Sequence, residues 1–125
     1  MGKKFLIDTN VLIDAQMGRL SEDGLKFLLQ AINEVFIVSF ITLIEFLGYK
    51  DVANSSKEFI SMADVFGIDN AIIQTCIDLR KNYTIKLPDA IIAATALTNN
   101  LTLVTNNDKD FDKIQNLNII NPYSF

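Results

Sequence analysis

Apolar positions in this chain fall into short continuous runs, separated by stretches with helical spacing. "KFLI" (4–7) is apolar on both strand faces, as a central parallel strand covered on both sides requires. In "SEDGLKFLLQAI" (21–32), Ser21 stands where an N-cap belongs and two acids occupy the first turn. Leu25, Leu28, Leu29 and Ile32 then share one helical face. "EVFIVS" predicts a second buried strand, and Phe40 to Gly48 a helix stopped at the glycine. Ser55 and Glu58 have capping-box spacing for a further helix, and "DVFGI" predicts a short strand or turn. Asp69 is placed to cap a helix whose Ile72, Ile73, Cys76 and Ile77 share a face. Pro88 suits the first turn of a helix over 88–98 that ends at Asn99 and Asn100. "LTLVT" and "LNII" read as two more strands, with a loop and short helix in "NNDKDFDKI" between them.

Strands that alternate with helices imply right-handed crossovers and a parallel sheet between helical layers. The expected architecture is a single α/β domain over 1–125, a three-layer α/β/α sandwich with a central parallel sheet of four to five strands. A chain of 125 residues buries about two thirds of the surface its unfolded form exposes, enough to hold a rigid site. No run approaches the ~20 apolar residues of a membrane span. "MGKK" is followed by Asp8 and by no small-residue cleavage site, so the expectation is a soluble, cytoplasmic protein without a secretory signal.

Composition narrows the chemistry. The chain contains no histidine, which excludes Ser-His-Asp and Cys-His catalysis. Its single cysteine, Cys76, has no partner for a disulfide or a zinc site, and core packing is its expected role. The net charge of −4 lacks the cationic surplus usual in nucleic-acid binders. Carboxylates gathered round a cation would be partly neutralised, however, and patches such as Arg80 and Lys81 act locally.

Sites in parallel sheets lie just past the carboxyl ends of strands. Asp8 directly follows the first predicted strand, and Glu45 lies one turn into the helix after "VFIVS". Asp89 is in the first turn of the 88–98 helix, and Asp108 and Asp110 follow "LTLVT". Two carboxylates ~4 Å apart repel by roughly 4 kcal/mol at an effective dielectric constant near 20. Such a cluster takes up protons or a cation, and an all-oxygen set favours Mg2+ or Mn2+. Thr9, Asn10, Thr105 and Asn107 are placed to orient the acids or to hold water beside the cation. Each acid also has a purely local reading. Asp8 is a possible N-cap for "VLIDAQ", "TLIE" makes Thr42 and Glu45 a capping box, the helix dipole favours Asp89, and Asp108 and Asp110 suit turns. Their joint placement, more than any one acid, points to a metal centre.

These stretches resemble the PIN-domain pattern and, within it, the VapC-like toxins of bacterial and archaeal toxin–antitoxin pairs. The matching segments are "FLIDTNVLID" (5–14), "FITLIEFLGY" (40–49), "KLPDAIIAATAL" (86–97) and "LTLVTNNDKDF" (101–111), in order along almost the whole chain. The resemblance implies a metal-dependent endoribonuclease that cleaves RNA, transfer or ribosomal RNA being typical targets, by water activated at one or two Mg2+ or Mn2+ ions. Asp8, Glu45 and Asp89 match the first three acids of that site. The metal would sit on Asp8 and Asp89, with Glu45 and Asp108 bound directly or through water. The fourth position is displaced: many members carry an acid two residues after the strand-ending Thr, where this chain has Asn107. Asp108 is the first choice for the fourth acid and Asp110 its substitute. Lys86, one helical turn before Asp89, is a candidate RNA contact or simply a solvated lysine.

The resemblance further implies a homodimer and a cognate antitoxin. In agreement, Phe40, Ile41, Leu43, Ile44, Phe46 and Leu47 surround Glu45 with more apolar surface than one core face needs; burial between the sheet and the next helix is the alternative. Two other functions fit the fold class. A catalytically silent PIN-like binding module would keep the fold without the full acid set. A receiver-type phosphoacceptor domain would need an acid paired with Asp8, where Asn10 stands instead, and an Asp directly after "VFIVS".

Overall fold

The computed structural model describes residues 3–48 and 50–125. The elements run β1 (Phe5–Ile7), α1 (Thr9–Gln16), α2 (Glu22–Glu34), β2 (Ile37–Ser39), α3 (Phe40–Leu47), α4 (Asn54–Ser61) and β3 (Asp64–Phe66). They continue with α5 (Asn70–Asn82), α6 (Leu87–Thr98), β4 (Thr102–Val104), α7 (Asp108–Phe111) and β5 (Ile119–Ile120), and end in a 3-10 turn, Pro122–Ser124. All pairings are parallel and the strand order is β3-β2-β1-β4-β5. The three-layer α/β expectation holds, with five strands. This order also differs from the 2-1-3-4-5 order of receiver domains, which removes that alternative.

Side chains alternate across each strand, and the sheet therefore has two cores. Leu6, Ile37 and Leu103 point to one face with Ile72, Cys76 and Leu79 of α5, the apolar residues of α6, and Phe111 of α7. Ile7, Val38 and Val104 point to the other with Val11 and Leu12 of α1, Leu28 of α2 and Ile60 of α4. Helix α3 spans the two, because Phe40 and Ile41 pack against the first core while Phe46 belongs to the second. Every residue from Ala90 to Ala96 is buried, and the alanines let α6 lie close to its neighbours. Among the described residues no helix is long and apolar enough to cross a membrane.

Caps follow local chemistry, with two departures from expectation. Ser21 accepts from the Gly24 N–H at 3.0 Å and Asp69 from the Ile72 N–H at 2.8 Å, as their positions predict. Ser55 does not cap. The backbone turns helical at Asn54, so Ser55 falls inside α4, and Ala53 holds the cap position without a side-chain bond. Thr42 does not cap α3 either, because Ser39 already accepts from the Ile41 N–H at 3.2 Å, and Thr42 is turned into the interior. Gly48 ends α3 with φ −77°, so no left-handed turn requires glycine there. A Cβ would instead lie 2.7 Å from the Ile44 carbonyl oxygen. The buried stripe of α5 is also rotated from the expected one. Leu79 joins Ile72 and Cys76 inside, one turn further along, and Ile73 and Ile77 face outward. Leu29 of α2 likewise points out, its place in the core taken by Ala31.

The C-terminal turn closes the second core. Gly24 lies so close to it that a Cβ would overlap the Pro122 carbonyl oxygen. The Tyr123 hydroxyl donates to Asp14 of α1, and burial together with that carboxylate raises the phenol's pKa.

Candidate metal centre

β1 and β4 are neighbours although helices α1 to α6 separate them in sequence, so crossovers leave β1 in one direction and reach β4 from the other. Loops diverge at such a reversal and leave a crevice at the strands' carboxyl ends. Asp8 and Thr105 lie on its two lips. The Asp8 N–H donates to the Val104 carbonyl at 2.9 Å, continuing the β1–β4 ladder by one residue.

Asp8 is only 5% exposed. Its Oδ1 accepts from the Thr9 N–H at 2.8 Å, which makes it the N-cap of α1. Its Oδ2 accepts from the Thr105 hydroxyl at 2.7 Å. The local capping role is therefore real but occupies one oxygen. Burial raises the Asp8 pKa from 3.8 to about 6, against the lowering effect of those two hydrogen bonds, and the charges of Asp89 and Glu45 push the same way as burial.

Thr9 connects Asp8 to α3. Its buried hydroxyl lies 3.0 Å from that of Thr42 and 2.7 Å from Glu45 Oε1. A hydroxyl carries one hydrogen and a carboxylate only accepts, so Thr9 donates to Glu45 and receives from Thr42. Thr42 is thus a structural member of the site that the sequence reading took only for a cap. Its i, i+3 spacing to Glu45 on one helical face was the available signal.

Asp89 lies in the first turn of α6, half-buried. Burial raises its pKa, as do the charges of Asp110 and Glu45, while Lys86 lowers it. The charges of Asp89 and Glu45 thus act on Asp8, those of Asp110 and Glu45 act on Asp89, and Lys86 is the cation that acts on Asp89.

The two acids of α7 point to different neighbours. Asp110 Oδ2 accepts from the Asn107 side-chain amide at 2.8 Å, and the Asn107 backbone N–H donates to the Thr105 hydroxyl oxygen at 3.0 Å. Asn107 therefore ties Asp110 to the hydroxyl that holds Asp8. Asp108 Oδ2 instead accepts from the Asn121 amide at 3.1 Å, beyond the end of β5, and its Oδ1 is buried without a partner among the described residues. No local sequence signal pointed to Asn121, a contact made across thirteen residues. Asn10 is exposed, with no side-chain hydrogen bond to the acids among the described residues.

Among the described residues no three acidic side chains are arranged to hold one ion. The donor chemistry nonetheless suits a hard divalent cation, since every candidate ligand is an oxygen and the carboxylates outnumber the local cations. Cys76 is buried on α5 in the first core.

Known proteins match most of the chain in sequence and fold. A family model described as the PIN domain covers residues 5–117. Ribonuclease VapC1 of Rickettsia felis is 33% identical over 130 residues, covering 92% of this chain and 93% of that protein. Among solved structures, a toxin-antitoxin complex from Klebsiella pneumoniae aligns with a TM-score of 0.76 and 33% identity over 96% of this chain and 98% of that one. DNA-bound VapBC from Salmonella typhimurium aligns with a TM-score of 0.77 and 25% identity, covering 97% and 99%. With its acids at the reversal between β1 and β4 and the family model spanning nearly all of its length, the chain belongs to the PIN-domain family, in the VapC group.

Proposed function

We infer that the chain is the ribonuclease toxin of a toxin–antitoxin pair, and that its activity depends on a divalent cation, Mg2+ or Mn2+. The observation that carries this reading is the buried Asp8, its pKa raised to about 6 by burial and by the charges of Asp89 and Glu45, with no cation among the described residues acting to offset them. Similarity to Ribonuclease VapC1 and to a toxin-antitoxin complex supports it.

Asp8 and Asp89 would hold the cation, with Glu45 and Asp110 directly or through water. Asp110 is preferred to Asp108 because its charge is felt at Asp89, whereas Asp108 is bonded to Asn121. A complete set of four acids also argues against a silent binding module. A divalent cation at such a site lowers the pKa of water and offsets charge on a phosphate. The chain's own part is positioning. Thr105 and the Thr9 N–H fix both oxygens of Asp8, Thr9 orients Glu45 through Oε1, and Asn107 orients Asp110. Lys86 offers positive charge beside Asp89 for the substrate's phosphates.

The substrate is RNA of the cytoplasm, of the transfer or ribosomal class. The antitoxin is expected to cover the exposed apolar residues Ile44 and Leu47 that flank Glu45 on α3. A homodimer is expected as well.

The test is RNA cleavage by the purified chain, freed of any partner, with and without added Mg2+ or Mn2+. Asp8→Asn, Asp89→Asn and Asp110→Asn should each lose at least about a hundredfold in rate, as expected when a ligand that positions the catalytic charge is removed. Asp108→Asn should stay within a few-fold of wild type. Cation-independent cleavage, or full activity of Asp8→Asn, would overturn the reading; loss on Asp108→Asn but not Asp110→Asn would reverse the choice of fourth acid.

A further inference from the structure

Three basic side chains lie at the four-residue connection, 83–86, that leads into α6. Arg80, near the end of α5, donates to the Ile85 carbonyl at 3.1 Å. Lys113, just past α7, donates to the Thr84 carbonyl at 2.6 Å. Lys86 is the residue from which α6 starts, and its charge reaches Asp89. All three are exposed. Among the described residues the only ion pair joins Arg19 to Asp14, so none of the three forms a salt bridge with a carboxylate, and only the charge of Lys86 is felt by an acid of the site, Asp89.

We propose that Arg80, Lys86 and Lys113 form an RNA-backbone clamp that grips phosphates next to the scissile one, on the α6 side of the metal centre. The proposal rests on the ribonuclease reading and names a binding surface it leaves open. A chain with fifteen acidic and eleven basic residues repels RNA at long range. It therefore needs a local concentration of positive charge where the strand enters. The turn at 84–86 is well placed, because Asp89 lies only one helical turn beyond Lys86. The carbonyl contacts fix two otherwise flexible side chains before RNA arrives, which lowers the entropy lost on binding. They occupy one donor each, leaving the rest of the guanidinium fork and of the ammonium free for phosphate oxygens. Contacts of this kind carry no base information, so the clamp grips any sequence and leaves target choice to other surfaces.

The test measures binding apart from cleavage. The full chain carrying Asp8→Asn is titrated with a labelled, mixed-sequence, single-stranded RNA in Mg2+ at several salt concentrations. Adding Arg80→Gln, Lys86→Gln and Lys113→Gln together should weaken binding by roughly tenfold or more near 0.1 M salt and flatten the salt dependence by about two log units per log unit of salt, as three lost phosphate contacts on a single strand require. Lys4→Gln, Lys26→Gln and Lys57→Gln together remove the same charge from the sheet's amino edge and its opposite face, and should have a much smaller effect. Lys86→Arg with Lys113→Arg should bind like the parent, which separates charge from any loss of folding. Equal weakening by both triple variants, or an unchanged salt slope in the first, would overturn the clamp while leaving the ribonuclease reading intact. No binding by the parent at any salt concentration would overturn both.

Discussion

Replacing Asp8 by Asn removes a charge that the fold holds at a disadvantage, and it should stabilise the cation-free protein. The carboxyl is raised from 3.8 to about 6 chiefly by burial. The folded state therefore binds its proton more tightly than the unfolded state does. Below pH ~4 both states are protonated and the residue is neutral in its effect. Between pH ~4 and ~6 the unfolded chain releases the proton first, so stability falls as pH rises. At neutral pH the full penalty applies, about 3 kcal/mol at 1.36 kcal/mol per pH unit. The amide nitrogen of Asn cannot accept, so either the Thr105 hydroxyl or the Thr9 N–H loses its partner, which costs about 1 kcal/mol. The net expectation is a gain of about 1–2 kcal/mol at pH 7.5 in chelator and a small loss at pH 3.5. Urea unfolding of wild type and variant at both pH values reads the difference, and titration of carboxylates common to both proteins cancels. Added Mg2+ or Mn2+ should then raise the midpoint of wild type more than that of the variant. An equal effect of the substitution at both pH values, or destabilisation at pH 7.5, would refute the argument that burial of charge governs this residue.

Two further substitutions test the supports of the site. Thr105→Val removes both the donor to Asp8 and the acceptor for the Asn107 N–H; Asp8 should then keep its proton to higher pH. The acid limb of the pH–rate profile should move upward and cleavage at pH 6 should fall more than at pH 8, whereas a uniform loss with the limb unmoved would count against it. Gly24→Ala places a methyl group against the Pro122 carbonyl, and overpacking of that kind costs about 1–3 kcal/mol. Scanning calorimetry should show a melting temperature several degrees lower, and an unchanged value would mean that the C-terminal turn yields without penalty.

The parallel sheet was legible because β1, β2 and β4 are apolar on both faces, which only a doubly covered strand tolerates. Errors arose where the pattern is locally ambiguous. On α5, Ile72, Ile73, Cys76, Ile77 and Leu79 are all apolar, and periodicity alone does not choose which stripe faces inward. Packing chose: Ile72, Cys76 and Leu79 meet α6 and the sheet, while Ile73 and Ile77 are left outside. The capping boxes at Ser55 and Thr42 failed for a related reason. A capping pair matters only where the chain turns helical, and the ends of the preceding segments set that point two residues earlier at Ser55 and three at Thr42.

At the site, the acids were legible as single residues while their connections were not. Asp108 and Asp110 differ by two positions on a helix of four residues, so they leave it in nearly opposite directions. Sequence spacing favoured Asp108, the nearer to the family's register. Geometry separates the two through their partners, Asn107 for Asp110 and Asn121 for Asp108. The Asn107 that occupies the expected acid's place acts as a link: its amide aims Asp110 while its backbone N–H steadies Thr105 and, through it, Asp8. An acid at that position would add a further negative charge to a cluster that already raises the pKa of Asp8 and Asp89. On the proposed assignment of Asp110 as the fourth acid, an amide at position 107 holds that carboxylate by a hydrogen bond without adding a charge to the cluster.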